Sequence, residues 1–161
     1  MAKYHMNKAE REITDNSQLL EILERGKYAT IAMCRDNEPY IVTLSFGYDP
    51  AGHALYFHSA VKGRKLDIIA ANPAVCATVL EDGGYVVNQC GHRYRSVVLY
   101  GQMHIVHDPG ERLHGLETIA GQLEADMAAS KEKISRLGEE AWRGMAILRL
   151  DIEEMTGKSG Q

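Results

Sequence analysis

Short apolar runs separated by polar turns fill most of the chain, and helical spacing marks only a few stretches. Asp15 or Asn16 caps a predicted short helix whose Leu19, Leu20, Ile22 and Leu23 share one face, ending near Gly26. Tyr28–Cys34 and Tyr40–Tyr48 read as strands joined by the polar turn Arg35-Asp36-Asn37-Glu38, a hairpin signal. After Asp49-Pro50-Ala51-Gly52, Leu55–Ser59 forms a third strand. A helix from about Lys62 to Ala71 should stop at Asn72-Pro73, because proline disfavours helix in the residue before it. Ala74–Leu80 is a fourth strand, Asp82-Gly83-Gly84 a break, and residues 85–91 a loop or short strand. Tyr94–Val106 is a long strand, with a bend or bulge expected at Gly101. Asp108-Pro109 starts a helix carrying Leu113, Leu116, Ile119, Ala120, Leu123 and Met127. A weaker helical piece surrounds Ile134 and Leu137, and Met145–Ile152 is a closing strand.

Strands linked by short turns, with helices mostly late, predict a mainly β fold with α elements. The expected form is an antiparallel closed or split β-barrel with peripheral helices. A doubly wound sheet would need helices between nearly all strands. The 161 residues suit a single domain, with residues 1–14 an N-terminal arm and about 157–161 a polar tail. Eighteen basic against 22 acidic residues give a net charge of −4, which argues against a nucleic-acid partner. No apolar run approaches the roughly 20 residues that cross a bilayer, and no signal-peptide core precedes the first helix, so no membrane partner is expected. Cys34, Cys76 and Cys90 are odd in number and form no C-x-x-C, which suggests reduced thiols and a cytoplasmic location.

Against the acidic background, the stretch Tyr56-Phe57-His58-Ser59-Ala60-Val61-Lys62-Gly63-Arg64-Lys65-Leu66 stands out. A strand ends in His-Ser, and a turn then carries Gly63 among three cations at a helix start. Backbone N–H groups and the positive end of the helix dipole converge there, and Lys and Arg add charge-assisted bonds. A phosphate is the natural guest, although the spacing matches neither a Walker loop nor a dinucleotide fingerprint. The competing reading is an ordinary solvated basic helix start.

Several pieces in order resemble the FMN-binding split barrels related to pyridoxamine 5′-phosphate oxidase, and among them the branch of nitroimidazole-resistance proteins. They are Arg11-Glu12-Ile13, Ala29-Thr30-Ile31-Ala32, Glu38-Pro39-Tyr40-Ile41-Val42-Thr43-Leu44 and Tyr56–Ala60 with Gly63-Arg64-Lys65. Asn72-Pro73, Tyr94-Arg95-Ser96-Val97-Val98 with Gly101, and Met155-Thr156-Gly157-Lys158 complete the set. The resemblance implies a homodimer with FMN at each subunit interface. It places His58, Ser59 and Ala60 along the flavin, and Lys65 on its phosphate with Lys62, Gly63 and Arg64 as helpers. Val42, Thr43 and Leu44 would pass along the ring, and Tyr94, Arg95 and Ser96 would approach from the long strand. It further implies an oxidoreductase passing electrons from a reduced nicotinamide or other donor to a small acceptor, nitroaromatics among them. A flavin-binding sensor or electron carrier needs the same pocket, and an interaction module with an empty pocket is a third reading. The extended basic substrate site of a true pyridoxamine phosphate oxidase has no counterpart here, which argues against the vitamin B6 reaction.

Other residues favour plainer roles. His104 and His107 would face opposite sides of a strand, so no metal site is expected. Cys90-Gly91-His92 is read as a loop rather than a reactive thiol, for want of a third orienting residue. No residue stands out as a catalytic acid or base.

Overall fold

The computed structural model describes residues 6–160. The first five residues of the expected arm, His5 included, and Gln161 lie outside them. A 3-10 turn at Ala9–Arg11 leads into β1 (Glu12–Ile13), α1 (Asn16–Arg25), β2 (Tyr28–Arg35), β3 (Glu38–Asp49) and β4 (Ala54–Ala60). There follow α2 (Arg64–Ala71), β5 (Ala74–Val86), β6 (Gly91–Val106), α3 (Pro109–Leu123), α4 (Met127–Ser135), α5 (Glu139–Gly144) and β7 (Met145–Gly160). The strand order is β1-β7-β4-β3-β2-β5-β6, every pairing is antiparallel, and β6 pairs back onto β7. Six strands therefore close a ring and β1 lies outside it.

Strand alternation sends one set of side chains into the ring. Ile31, Phe46, Leu55, Phe57, Leu99, Leu148 and Leu150 are fully buried there. α1 adds Ile22 and Leu23 to this core, and α2 adds Leu66, Ile68 and Ile69. Each such side chain contributes about 1.5–3 kcal/mol by leaving water. α3 lies outside the ring, over β3 and β4. Its Ile119 joins Tyr56, Val106 and Ile147 in a second apolar cluster. Gly47 permits that approach, since a Cβ there would stand 2.5 Å from the α3 backbone at Thr118 and Ile119.

Polar groups fasten α3 to the barrel. Tyr56 Oη donates to Glu111 Oε1 at 3.1 Å, and Arg149 Nη1 donates to the same oxygen at 2.8 Å. Arg149 Nε donates to Asp151 Oδ1 at 2.7 Å. The hydrogen bond from Arg149 holds the Glu111 carboxyl below its ordinary value, and burial pushes the Tyr56 phenol up to about 12. The Gln122 side chain accepts from Tyr48 N and donates to Leu23 O and Gly26 O, which joins α3 to β3 and to the end of α1.

The structure departs from the sequence reading at five places. Asp82-Gly83-Gly84 does not end β5; the strand continues to Val86 with a register shift between Asp82 and Tyr85, where Gly84 takes φ +86°. The segment read as a polar tail is strand: β7 runs to Gly160, with Thr156, Gly157 and Lys158 paired to Val98, Val97 and Ser96. Part of the arm is ordered against it, Ile13 pairing with Gly157. Lys62 lies before α2, which starts at Arg64 because Gly63 takes φ +142°. α5 had no counterpart in the sequence reading. Gly101 does mark an irregularity, at the junction Tyr100/Gly101 of the β6–β7 ladder.

Candidate functional site

The site begins where two strands part. β2 pairs along its whole length with β3, over Glu38 to Ser45, and β4 pairs with β7 from Ala54 to Ala60. β3 and β4 pair with each other only between Phe46–Asp49 and Ala54–Phe57. Beyond Phe46 and Phe57 the two strands separate. The Phe46 N–H donates to Lys27 O on the β2 side. Strand alternation then turns the backbone N–H and C=O of Ser45 and Thr43 into the gap, and those of His58 and Ala60 toward them from β4. The cleft is thus rimmed by main-chain donors and acceptors that no sheet partner uses.

The chain leaving β4 closes one end of this cleft with cations. Lys62 is exposed and Lys65 half-buried. Among the described residues neither pairs with a carboxylate, whereas Arg64 does: its Nη2 stands 3.2 Å from Glu38 Oε2 and its guanidinium lies over the Tyr40 ring. Leu66 N and Asp67 N donate to Gly63 O, so the N–H groups of Arg64 and Lys65 sit on the open first turn of α2. No atom lies within 4 Å of where a Gly63 side chain would start. Two unpaired ammoniums, open helix N–H groups and vacant space form a donor set suited to an anion with several oxygens. Beside Arg64 is a cavity of about 480 Å³ lined by Arg35, Asp36, Glu38, Asp67 and Ile68, whose three carboxylates make it a poor second anion site.

The other residues singled out in the sequence divide by face. Val42 and Leu44 point inward and pack against the core, so only their backbone adjoins the cleft strand. Thr43 points outward, its hydroxyl 2.9 Å from that of Thr30 on β2. His58 and Ala60 are exposed, while Ser59 is buried and its hydroxyl donates to Ala60 O at 3.0 Å. Arg95 is held elsewhere: Nε donates to Glu81 at 2.7 Å and Nη1 to Glu21 at 2.8 Å, tying β6 to β5 and α1. Tyr94 and Ser96 sit on β6, three strand spacings from Thr43, roughly 14 Å along the sheet. One protomer therefore does not bring them to the cleft that holds Thr43 and His58.

The sequence reading missed the outward faces of β2 and β3. Ile41 is 64% exposed beside Thr43, and the same outer surface carries Leu80 and Tyr100, 54% and 46% exposed. Cys76 lies opposite Tyr100 on this surface, and burial pushes its thiol up. The signal was present in the two-residue period of Ile41-Val42-Thr43-Leu44, but apolar residues at both parities concealed which set faced out. Asp82 supplies the orienting carboxylate that the sequence reading had not found for His92, with Oδ1 2.6 Å from Nε2.

A six-stranded antiparallel ring opened between two strands, with a cationic helix start at the opening, defines a split barrel. The pyridoxamine 5′-phosphate oxidase family model matches residues 15–159, and the chain belongs to that family. It is similar to a candidate 5-nitroimidazole antibiotic resistance protein of Bacteroides thetaiotaomicron. That structure has a TM-score of 0.78 at 24% identity, over 92% of this chain and 86% of that one. It is also similar to an FAD-binding protein of Mesorhizobium loti, at TM-score 0.69 and 22% identity over 94% and 98% of the two chains. At these identities the likenesses speak for the fold. An uncharacterized protein of Rhizobium meliloti is 32% identical over 81 residues, half of this chain and 48% of that protein. The chain thus spans about half the length of the curated relative it matches. Among the described residues no helix is long and apolar enough to cross a membrane.

Proposed function

We propose that the protein is an FMN-binding oxidoreductase that works as a homodimer, with the flavin held in the split between β3 and β4. The observation that carries this reading is the cleft itself, where unpaired backbone groups lead to two lysines that pair with no carboxylate among the described residues. Lys65 and Lys62 take the phosphate with the first-turn N–H groups of α2, and Gly63 gives it room. Backbone groups of Thr43 and Ser45 hydrogen-bond the polar edge of the ring, with His58 and Ala60 on the opposite rim. Bound there, the flavin supplies electron transfer between a reduced nicotinamide or other donor and a small acceptor, while the protein supplies position and electrostatics. The name of the Mesorhizobium loti protein supports a flavin of some kind.

The outer sheet supports the dimer. Ile41 on β3, Leu80 on β5 and Tyr100 on β6 are exposed apolar side chains on the outer face of the sheet, of which only β3 borders the cleft. A second copy seated there covers them and brings its own Tyr94 and Ser96 toward a flavin that its partner holds, which one protomer alone cannot do. Absorbance of the purified protein tests the cofactor, and stopped-flow mixing with NADH and NADPH tests turnover. Flavin bleaching by either nucleotide is expected. Bound flavin that neither nucleotide bleaches, although a chemical reductant does, would make the protein an electron carrier or sensor.

A further inference from the structure

A cavity of about 380 Å³ lies between the end of β4 and the three helices α3, α4 and α5. Leu116, Ile119 and Leu123 of α3, Ile134 of α4 and Met145 at the start of β7 make its wall mainly apolar. Such a space is far larger than the voids that side-chain packing leaves, and it falls in the range of small-molecule sites. Its polar lining is sparse and specific. Ser130 is buried and already donates to Asp126 O, so it has no proton left to give a ligand. Glu124 and Lys133 contribute one charge of each sign and cancel. That leaves His58, which also stands exposed on the rim of the β3–β4 split.

We propose that this cavity binds a neutral, largely apolar molecule that hydrogen-bonds to His58, and that this molecule is the second substrate of the flavin site. The apolar wall selects against charge, because an ion would lose its water without gaining a partner. The balanced Glu124 and Lys133 give no net field to draw an ion in. His58 belongs to both spaces, so a guest in the cavity reaches the edge of the cleft. The substrate role rests on the flavin reading, whereas the ligand site stands on the cavity alone.

The test uses methyl-labelled protein with and without FMN, titrated with 2-acetonaphthone, a neutral aromatic ketone, and with 2-naphthoate, its charged counterpart. The ketone should shift the methyls of Ile119, Ile134 and Met145, and bind at least tenfold more tightly than the carboxylate. Ala120→Phe fills the cavity from α3 and should weaken the ketone at least tenfold while FMN affinity changes less than twofold. Ala141→Phe fills it from α5 and guards against a variant that fails to fold. His58→Ala should weaken the ketone and abolish any change it makes in the flavin spectrum. Shifts confined to other methyls, equal binding of the carboxylate, or ketone affinity untouched by both filling variants would overturn the site. Shifts at the named methyls in protein that takes up no flavin would keep the ligand site and overturn its role as a flavin substrate site.

Discussion

Lys65→Glu separates the phosphate assignment from helix stability. Lys65 is the second residue of α2, where the helix dipole favours an anion, so the wild-type ammonium gains nothing from the helix. A carboxylate there should leave the apo fold as stable as before or raise it by about 0.3–1 kcal/mol. Toward a phosphate the change has the opposite sign. Lys65 is half-buried and pairs with no carboxylate among the described residues, so its charge is available to a ligand and only partly screened by water. Replacing that attraction with repulsion should cost about 2–5 kcal/mol of binding, roughly 30-fold to several-thousand-fold in Kd. Lys62 is exposed, so Lys62→Glu should cost less. Arg64 already holds Glu38 and Tyr40, so Arg64→Ala should cost least of the three. Flavin fluorescence gives the three dissociation constants, and apo melting temperature controls for folding. A Lys65→Glu protein that kept its flavin while Arg64→Ala lost it would refute the reasoning, and would put the phosphate on the Glu38 side of the helix start.

Glu111→Gln should lower the melting temperature at pH 7 by a few degrees, because Arg149 and Tyr56 lose a charged acceptor. The Arg149 hydrogen bond lowers the Glu111 pKa, so its contribution is present above the ordinary glutamate value of 4.5 and is lost as pH falls through the lowered one. Wild-type and variant melting curves should therefore converge in acid, and a constant gap down to pH 2 would contradict the assignment. Ile41→Glu places a charge on the exposed apolar sheet and should convert the proposed dimer to a monomer of about 18 kDa by light scattering, with weakened flavin binding. A monomeric wild type with bound flavin would remove the dimer from the account.

The barrel was legible in the sequence because period-two runs broken by short turns specify antiparallel pairing locally. β2, β3, β4 and the body of β6 lie close to where that pattern put them. The end of β7 was not legible. Its Glu153, Glu154, Lys158 and Ser159 look like a tail, yet ladder hydrogen bonds need backbone and not apolar side chains. Asp82-Gly83-Gly84 misled for a related reason: pairing resumes at Tyr85–His92, so the glycines form a bulge within a continuing strand. At the site, the cationic turn was visible as a local cluster, but its internal division was not. Arg64 and Lys65 look equivalent in sequence; only the fold brings Glu38, 26 residues away, onto one of them. Arg95 was likewise neutralised by partners 14 and 74 residues distant. The cleft itself had no sequence signature, because it arises from two strands that stop pairing.

The central claim is that the β3–β4 split ends in a phosphate site. Its most direct test is a parallel titration of apo protein with FMN and with riboflavin, which differ only in the phosphate. Each charge-assisted hydrogen bond lost should cost about 1.5–3 kcal/mol, so FMN should bind at least tenfold more tightly, with the difference shrinking as salt rises. Equal affinities at low salt would contradict the account.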